Sequence, residues 1–327
     1  MTTTPQRAHG NPRRSRRLDE HDVFIVMSSR RRVVVPSWWL PSARSRTFLG
    51  LLLFVAYSIG GAAVSFQEPR RIVSFIPAVT EMLFALGVGE RVVAVGSFDK
   101  YPPEIETLPK VGALLDPNLE RILSLRPDLV TVYGSQTDLR TQLEAAKVPL
   151  FVYSHADLSD VTETILELGA RVGRTDRARE LTAEIARALS AVRRRVANRP
   201  RPRTLIVFGR ESYTLRGIYA SGGYGFIHDM VTAAGGDNVF ADLKQQAVQA
   251  TTELIISRRP DVILELRAEP LTGEQQAKEL ASWKPLSSVP AVRSGRIHII
   301  ADPRVVIPGP RVAEGVEVIA GVLRLPR

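Results

Sequence analysis

An α/β fold of two similar parallel-sheet lobes joined by one long linker helix is what this sequence predicts. Three observations carry that expectation. First, residues 118–130 and 251–263 repeat one pattern without gaps. Each has a capping residue (Asn118, Thr251), Glu two positions later (Glu120, Glu253), then Ile, a branched aliphatic and Ser. Each ends with Arg-Pro-Asp before two β-prone aliphatics. Asn and Thr are good N-caps, an acid in the first turn suits the helix dipole, and proline bars further helix. Each copy therefore reads as a short helix, a turn and a buried strand, set about one domain length from its twin. Second, strands alternate with helices on either side of the middle, which implies parallel sheets covered on both faces. Third, an amphipathic stretch of helix length separates the two halves.

Taken in order, residues 71–76 form an apolar strand. Pro77 and Thr80 then introduce a helix carrying Val79, Leu83 and Leu86, closed by Gly87. A strand at 91–98 leads to the turn Tyr101-Pro102-Pro103, the first repeat helix and the strand 129–133. A helix over 137–146 and a strand over 148–153 complete the half. Residues 159–198 are helical, with an interruption expected near Gly169 and Gly173. From Asp176 onward, Leu181, Ile185, Leu189, Val192 and Val196 step by four and three, with acids in the first turn and Arg193, Arg194 and Arg195 in the last. Pro200 and Pro202 stop this helix. Its stiffness predicts a small opening motion between the lobes rather than a wide hinge.

The second half opens with a strand at 204–208. A Gly-rich loop at 221–225 precedes a helix over 226–234, and the second repeat helix and the strand 262–266 follow. A helix from about Gly273, a strand at 296–300 and a last helix over 311–325 finish the chain. The expected organisation is a leader over 1–66, a first lobe over 67–158, linker helices over 159–200 and a second lobe over 201–327.

The net charge of +10 over 327 residues suggests a nucleic-acid partner until it is located. Residues 1–47 hold ten Arg and three acids, a balance of +7, and residues 48–65 hold no charge, so the rest carries only about +3. The basic character belongs to a leader, and nucleic acid is not expected as a partner. Arginines ahead of an apolar run at 48–59, followed by small residues, read as an export signal cleaved near Ser65. Met27 is an alternative start. The second reading of the same segment is an uncleaved anchor, since residues 48–66 are just long enough to span a bilayer. With no Cys anywhere, disulfides, thiolate sites and a lipid-modified N-terminal Cys are excluded, which suits a periplasmic location.

No catalytic constellation emerges. The five His show no metal-ligand spacing, the Gly-rich loop lacks both phosphate-binding signatures, and Ser221 sits in no nucleophile elbow. No enzyme, no protein-held metal and no covalently bound cofactor are expected. In α/β sheets, ligands bind beyond the carboxyl ends of the strands. The residues there are Pro77, Phe98, Tyr133, Tyr153, Phe208 and Asp302, with Tyr101, Leu114, Tyr213, Tyr219 and Arg304 on adjacent loops. Two such rims facing each other make an aromatic cleft for a flat or bulky ligand. A single first-turn Glu is usually a dipole accessory worth about 0.3–1 kcal/mol. Matched acids on two similar lobes instead form a pair of knobs for a partner with matched basic pockets.

Over residues 70–325 the pattern resembles the helical-backbone substrate-binding proteins of ABC importers, which take cobalamin, ferric siderophores or haem. The cobalamin-binding members look closest. The likeness rests on 74–81, Tyr101-Pro102-Pro103, 117–122, Arg126-Pro127-Asp128, 235–240 and Gly309-Pro310-Arg311. The resemblance implies a periplasmic capture protein whose ligand is a cobalamin or other corrinoid, or an iron chelate. It implies a permease dimer as partner, with Glu120 and Glu253 docking onto the permease's arginines. Phe98 and Tyr219 fall where cobalamin binders keep aromatic rings, and Leu114 and Ala247 fall where well-known ones have Trp. A membrane-tethered ligand sensor is the alternative role.

Overall fold

In the computed structural model, residues 68–324 are described. The expected leader over 1–66, with its signal or anchor and the start at Met27, lies outside them. So does Leu325, the expected end of the last helix. Among the described residues no helix is long and apolar enough to cross a membrane.

The first lobe is built from β1 (Ile72–Ser74), α1 (Pro77–Ala85), β2 (Val92–Val95), α2 (Leu119–Ser124), β3 (Leu129–Tyr133), α3 (Thr137–Ala145) and β4 (Leu150–Tyr153). Its four strands run parallel in the order β2-β1-β3-β4. Two linker helices follow, α4 (Ser159–Arg171) and α5 (Thr175–Val196). Gly169 does not interrupt α4, contrary to expectation. A Cβ there would come within 2.4 Å of the Ala178 Cβ, so its missing side chain is what lets α4 and α5 pack closely. Gly173, at φ 71°, makes the turn between them.

The second lobe contains β5 (Arg203–Gly209), β6 (Ile218–Ser221), α6 (Phe226–Ala233), β7 (Asp237–Asn238), β8 (Ala247–Ala250), α7 (Thr252–Arg258) and β9 (Val262–Arg267). It ends with α8 (Gly273–Ala281), α9 (Pro290–Arg293), β10 (Ile297–Ala301) and α10 (Val312–Leu323). Strands β10, β9 and β5 are parallel, as in the first lobe. Strands β6 and β8 then add on antiparallel, so this sheet is mixed and not parallel throughout. The halves share the parallel unit and differ at that edge.

The duplicated motif is duplicated in its bonds. Asn118 Oδ1 accepts the Arg121 amide at 2.8 Å, and Thr251 Oγ1 accepts the Leu254 amide at 3.2 Å, capping α2 and α7. Arg126 and Arg259 then turn left-handed, at φ 48° and 49°, and the following proline prevents a return to helix. Asp128 accepts the Arg70 and Arg71 amides at 2.8 and 2.7 Å, and Asp261 accepts the Arg203 amide at 3.2 Å. The guanidinium of Arg71 closes on the Leu125 carbonyl, and that of Arg203 on the Arg258 carbonyl. In both lobes, Arg-Pro-Asp stitches a helix end to the start of the neighbouring strand.

At 22 residues, α5 spans roughly 33 Å. Its buried face is Leu181, Ile185, Leu189, Val192 and Val196, together with Ala178. These side chains belong to one continuous core that also takes Met82 and Leu83 from α1, Met230 from α6 and Ile319 from α10. Each lobe has a second, separate core on the other face of its sheet. Because the first core is common to both lobes, a wide opening would have to expose it, at about 25 cal/mol for each Å² of apolar surface.

Candidate functional site

Both sheets direct the carboxyl ends of their strands to one cleft rim, and the expected ligand residues sit there. Pro77 begins α1 directly beyond β1 and is half-buried. Phe98, beyond β2, is 72% exposed, far more than an aromatic ring packed in a core. The Leu114 carbonyl accepts from Gln136 Nε2 at 2.7 Å, which fixes its loop to the start of α3. Tyr133 closes β3 and meets Tyr153 edge-on, with ring centroids 5.2 Å apart. Tyr219 is a half-exposed residue of β6. Ala247 pairs with Ser221 across the β6–β8 ladder.

These residues do not share one cavity. Ala247 lines a space of about 240 Å³ with His155, Phe208, Tyr224, Phe226 and Gln246. Tyr101 lines another of about 490 Å³, floored by Glu81 and Arg311 and walled by Phe84, Leu181 and Ile185. His155, Tyr224, Phe226 and Gln246 were not foreseen as site residues. His155 was recoverable, because it lies two positions past the end of β4 and so obeys the same strand-end rule. Its ring stacks on Tyr153 at 5.6 Å and meets Phe226 of the other lobe edge-on at 6.5 Å. Burial pushes its pKa down, against the pull of Asp160, so the imidazole is neutral at neutral pH.

The lobes are clipped together on both flanks of the cleft. On one, the Phe226 amide donates to the Ala156 carbonyl at 2.9 Å, and the Leu158 amide to Asp229 at 3.0 Å. On the other, Arg311 forks onto Glu81 at 2.9 and 2.6 Å, and Lys100 meets Glu269 at 2.5 Å. Desolvation raises the pKa of Glu81, with the Arg311 hydrogen bonds opposing it. Asp99, buried at the end of β2, is pushed up to about 7 by desolvation, against Thr80 and Lys110.

The rim's cations are neutralised from within. Arg210 and Arg267 share Glu265 and Glu279 in a box of four contacts between 2.6 and 3.2 Å. Trp283 Nε1 donates to Glu265 and the Tyr213 amide to Glu279, which ties the 210–217 loop to the box. Arg304 spends its fork on Asp302 at 2.6 Å and reaches Glu314 at 3.1 Å. The hydrogen bond from Arg304 holds the Asp302 carboxyl below the ordinary carboxylate range. Lys100, Arg210, Arg267, Arg304 and Arg311 therefore each carry a carboxylate of this chain. Among the described residues, no cluster of His, Asp and Glu could hold a metal ion.

Glu120 and Glu253 occupy the second helical position of α2 and α7. Each helix runs back along the strand that follows it, so each N-terminus lies at the cleft-side end of its sheet. Both acids are exposed, and neither forms an ion pair among the described residues. Backbone and Thr251 hydrogen bonds lower the pKa of Glu253.

A profile described as periplasmic binding protein matches residues 72–303. The chain belongs to that family. The Vitamin B12-binding protein of Yersinia pestis (strain Pestoides F) is 27% identical over 230 residues, 69% of this chain and 78% of that one. The periplasmic heme-binding protein RhuT from Roseiflexus sp. RS-1 is a structural neighbour with TM-score 0.66 and 29% identity, covering 78% of this chain and 97% of that one. The periplasmic Vitamin B12 binding protein BtuF of Vibrio cholerae also superposes with TM-score 0.66, at 22% identity, over 78% and 97% of the two chains. That last likeness concerns the fold alone. Members of a binding-protein family hold a ligand without transforming it.

Proposed function

We propose that this binding protein is the capture component of an ABC importer and takes a bulky metal-chelate ligand of low net charge, a cobalamin or related corrinoid, between its two rims. The observation that carries the reading is the self-neutralised cleft end. A haem brings two carboxylates and a catecholate iron chelate several negative charges. Either would bury them beside cations already spent on Glu81, Glu265, Glu279, Asp302 and Glu269. A corrinoid is rimmed mainly by neutral amides and presents a broad apolar face, to which exposed Phe98 and Tyr219 offer stacking surface. The B12-binding relative supports the same choice.

Capture is followed by delivery. Glu120 and Glu253, exposed and unpaired at the N-termini of matched helices, dock onto basic pockets of a two-fold permease. Because the lobes share a core and a stiff helix, binding uses a largely preformed cleft, with small closure. The N-terminal segment exports the chain to the periplasm, by a cleaved signal or as an anchor.

Titration of the purified protein with cyanocobalamin, haemin and a ferric siderophore, followed by visible absorption and calorimetry, tests the ligand class. Cyanocobalamin should bind at least tenfold more tightly than haemin. Tighter binding of haemin or of the siderophore would remove the corrinoid assignment and leave the chelate class.

A further inference from the structure

The charge pattern reverses at the opposite end of the second lobe. Pro202, Asp261 and Arg296 precede β5, β9 and β10, so they mark the amino ends of those strands, away from the cleft. There, Arg199, Arg201, Arg296 and Arg324 line a groove of about 590 Å³ with Asp261 as the one acid among its lining residues. The bland explanation is that these arginines serve helix ends. Arg201 does donate to the Thr232 and Gly236 carbonyls at 3.0 and 2.7 Å, and Arg296 to the Leu323 carbonyl at 3.3 Å.

Magnitudes decide how far that goes. The carboxyl ends of α5, α6 and α10 supply about half a negative charge each. With Asp261 the total is about −2.5, against four guanidinium charges. Glu317 is shared between Arg324 and Arg195, so it adds one acid and one further guanidinium and leaves the surplus unchanged. Arg199 is exposed and forms no ion pair among the described residues. A groove with surplus charge, in which Arg199 and Arg201 are exposed, matches the chemistry of phosphate oxygens.

We propose that this groove is a second binding site, for a phosphate-bearing anion, and that it is separate from the ligand cleft. The phosphate comes from a soluble compound or from the headgroup of an anionic lipid, and the groove engages either through the same four arginines. The proposal does not depend on the identity of the cleft ligand.

Calorimetry with inorganic pyrophosphate on the full chain tests it. Saturable 1:1 binding is expected at low salt, weakened at least tenfold in 0.3 M NaCl. The double variant Arg199→Glu/Arg324→Gln should lose at least tenfold, with unchanged circular dichroism. Arg199→Gln alone, at an exposed position without an ion pair, should lose about threefold and covers the case in which the double variant misfolds. Co-sedimentation with phosphatidylglycerol vesicles separates the sources, read as the difference between wild type and variant. A matching drop assigns the lipid headgroup, and an unchanged vesicle affinity with lost pyrophosphate binding assigns a soluble phosphate. No saturable pyrophosphate binding by the wild type, or binding undiminished in both variants, overturns the proposal.

Discussion

Arg311 in the second lobe lies 3.8 Å above the ring of Tyr101 in the first, while its fork closes on Glu81 of the same lobe. One side chain thus holds two elements that lie 210 and 230 positions before it in sequence. Glu81 is almost wholly buried and Arg311 mostly so, which makes the pair costly to break from one side. Removing one partner of such a pair leaves a stranded charge worth about 3 kcal/mol, whereas replacing both with apolar groups is often nearly neutral. Glu81→Gln should therefore lower the urea unfolding free energy by about 3 kcal/mol and widen the distance between lobes in small-angle scattering. Glu81→Met/Arg311→Met should recover most of the stability. An equal loss in single and double variants would show that the pair does not hold the lobes.

Asp99 predicts a pH dependence. Its carboxyl ordinarily titrates near 3.8 and in the fold near about 7. Between those values the folded chain holds a proton that the unfolded chain has lost, so stability falls as pH rises through the window. The cost is absent below about pH 4 and complete above about pH 7. At 1.36 kcal/mol per pH unit it is on the order of 4 kcal/mol. Asp99→Asn should melt higher than wild type at pH 8 and at nearly the same temperature at pH 4. Glu81, also raised, contributes a slope of the same sign and is present in both proteins, so the difference reads Asp99 together with its repulsion from Glu81. Parallel melting curves across pH would refute it.

On the proposed corrinoid reading, Leu114 and Ala247 stand where indole rings would add stacking surface. Ala247 lines the cavity beside His155 and Phe226, and Leu114 sits on the facing lobe's rim. An aromatic stacking contact contributes about 0.5–1.5 kcal/mol beyond its area. Each of Leu114→Trp and Ala247→Trp should tighten cyanocobalamin binding by about two- to tenfold in calorimetry. Weaker binding in both would mean that these positions do not face the ligand.

The parts of this fold carried by local chemistry were legible in the sequence. The twin motifs predicted α2 with β3 and α7 with β9, because capping, proline and strand propensity act within a dozen residues. The apolar stripe from Leu181 to Val196 marked the buried face of α5, which starts one residue before Asp176 and ends two before 198. Strands β6 and β8 were not foreseen, since four-residue segments such as 218–221 and 247–250 are too short for alternation to stand out. At the rim, strand-end logic put Phe98, Tyr101 and Tyr133 forward as candidates. It could not find the Arg311–Glu81 fork or the Arg210–Glu265–Arg267–Glu279 box, whose partners come from distant segments. Charge neutrality of the rim depends on those pairings, so it was invisible before folding.

In the proposed delivery step, one carboxylate from each lobe presents the loaded protein to an importer. Glu120→Arg/Glu253→Arg tests it, with ligand affinity and ligand uptake into proteoliposomes or cells measured on the same variant. Cyanocobalamin affinity should stay within twofold of wild type while uptake and co-purification with permease subunits are lost. Uptake at the wild-type level, or lost ligand affinity with intact permease association, would contradict the account.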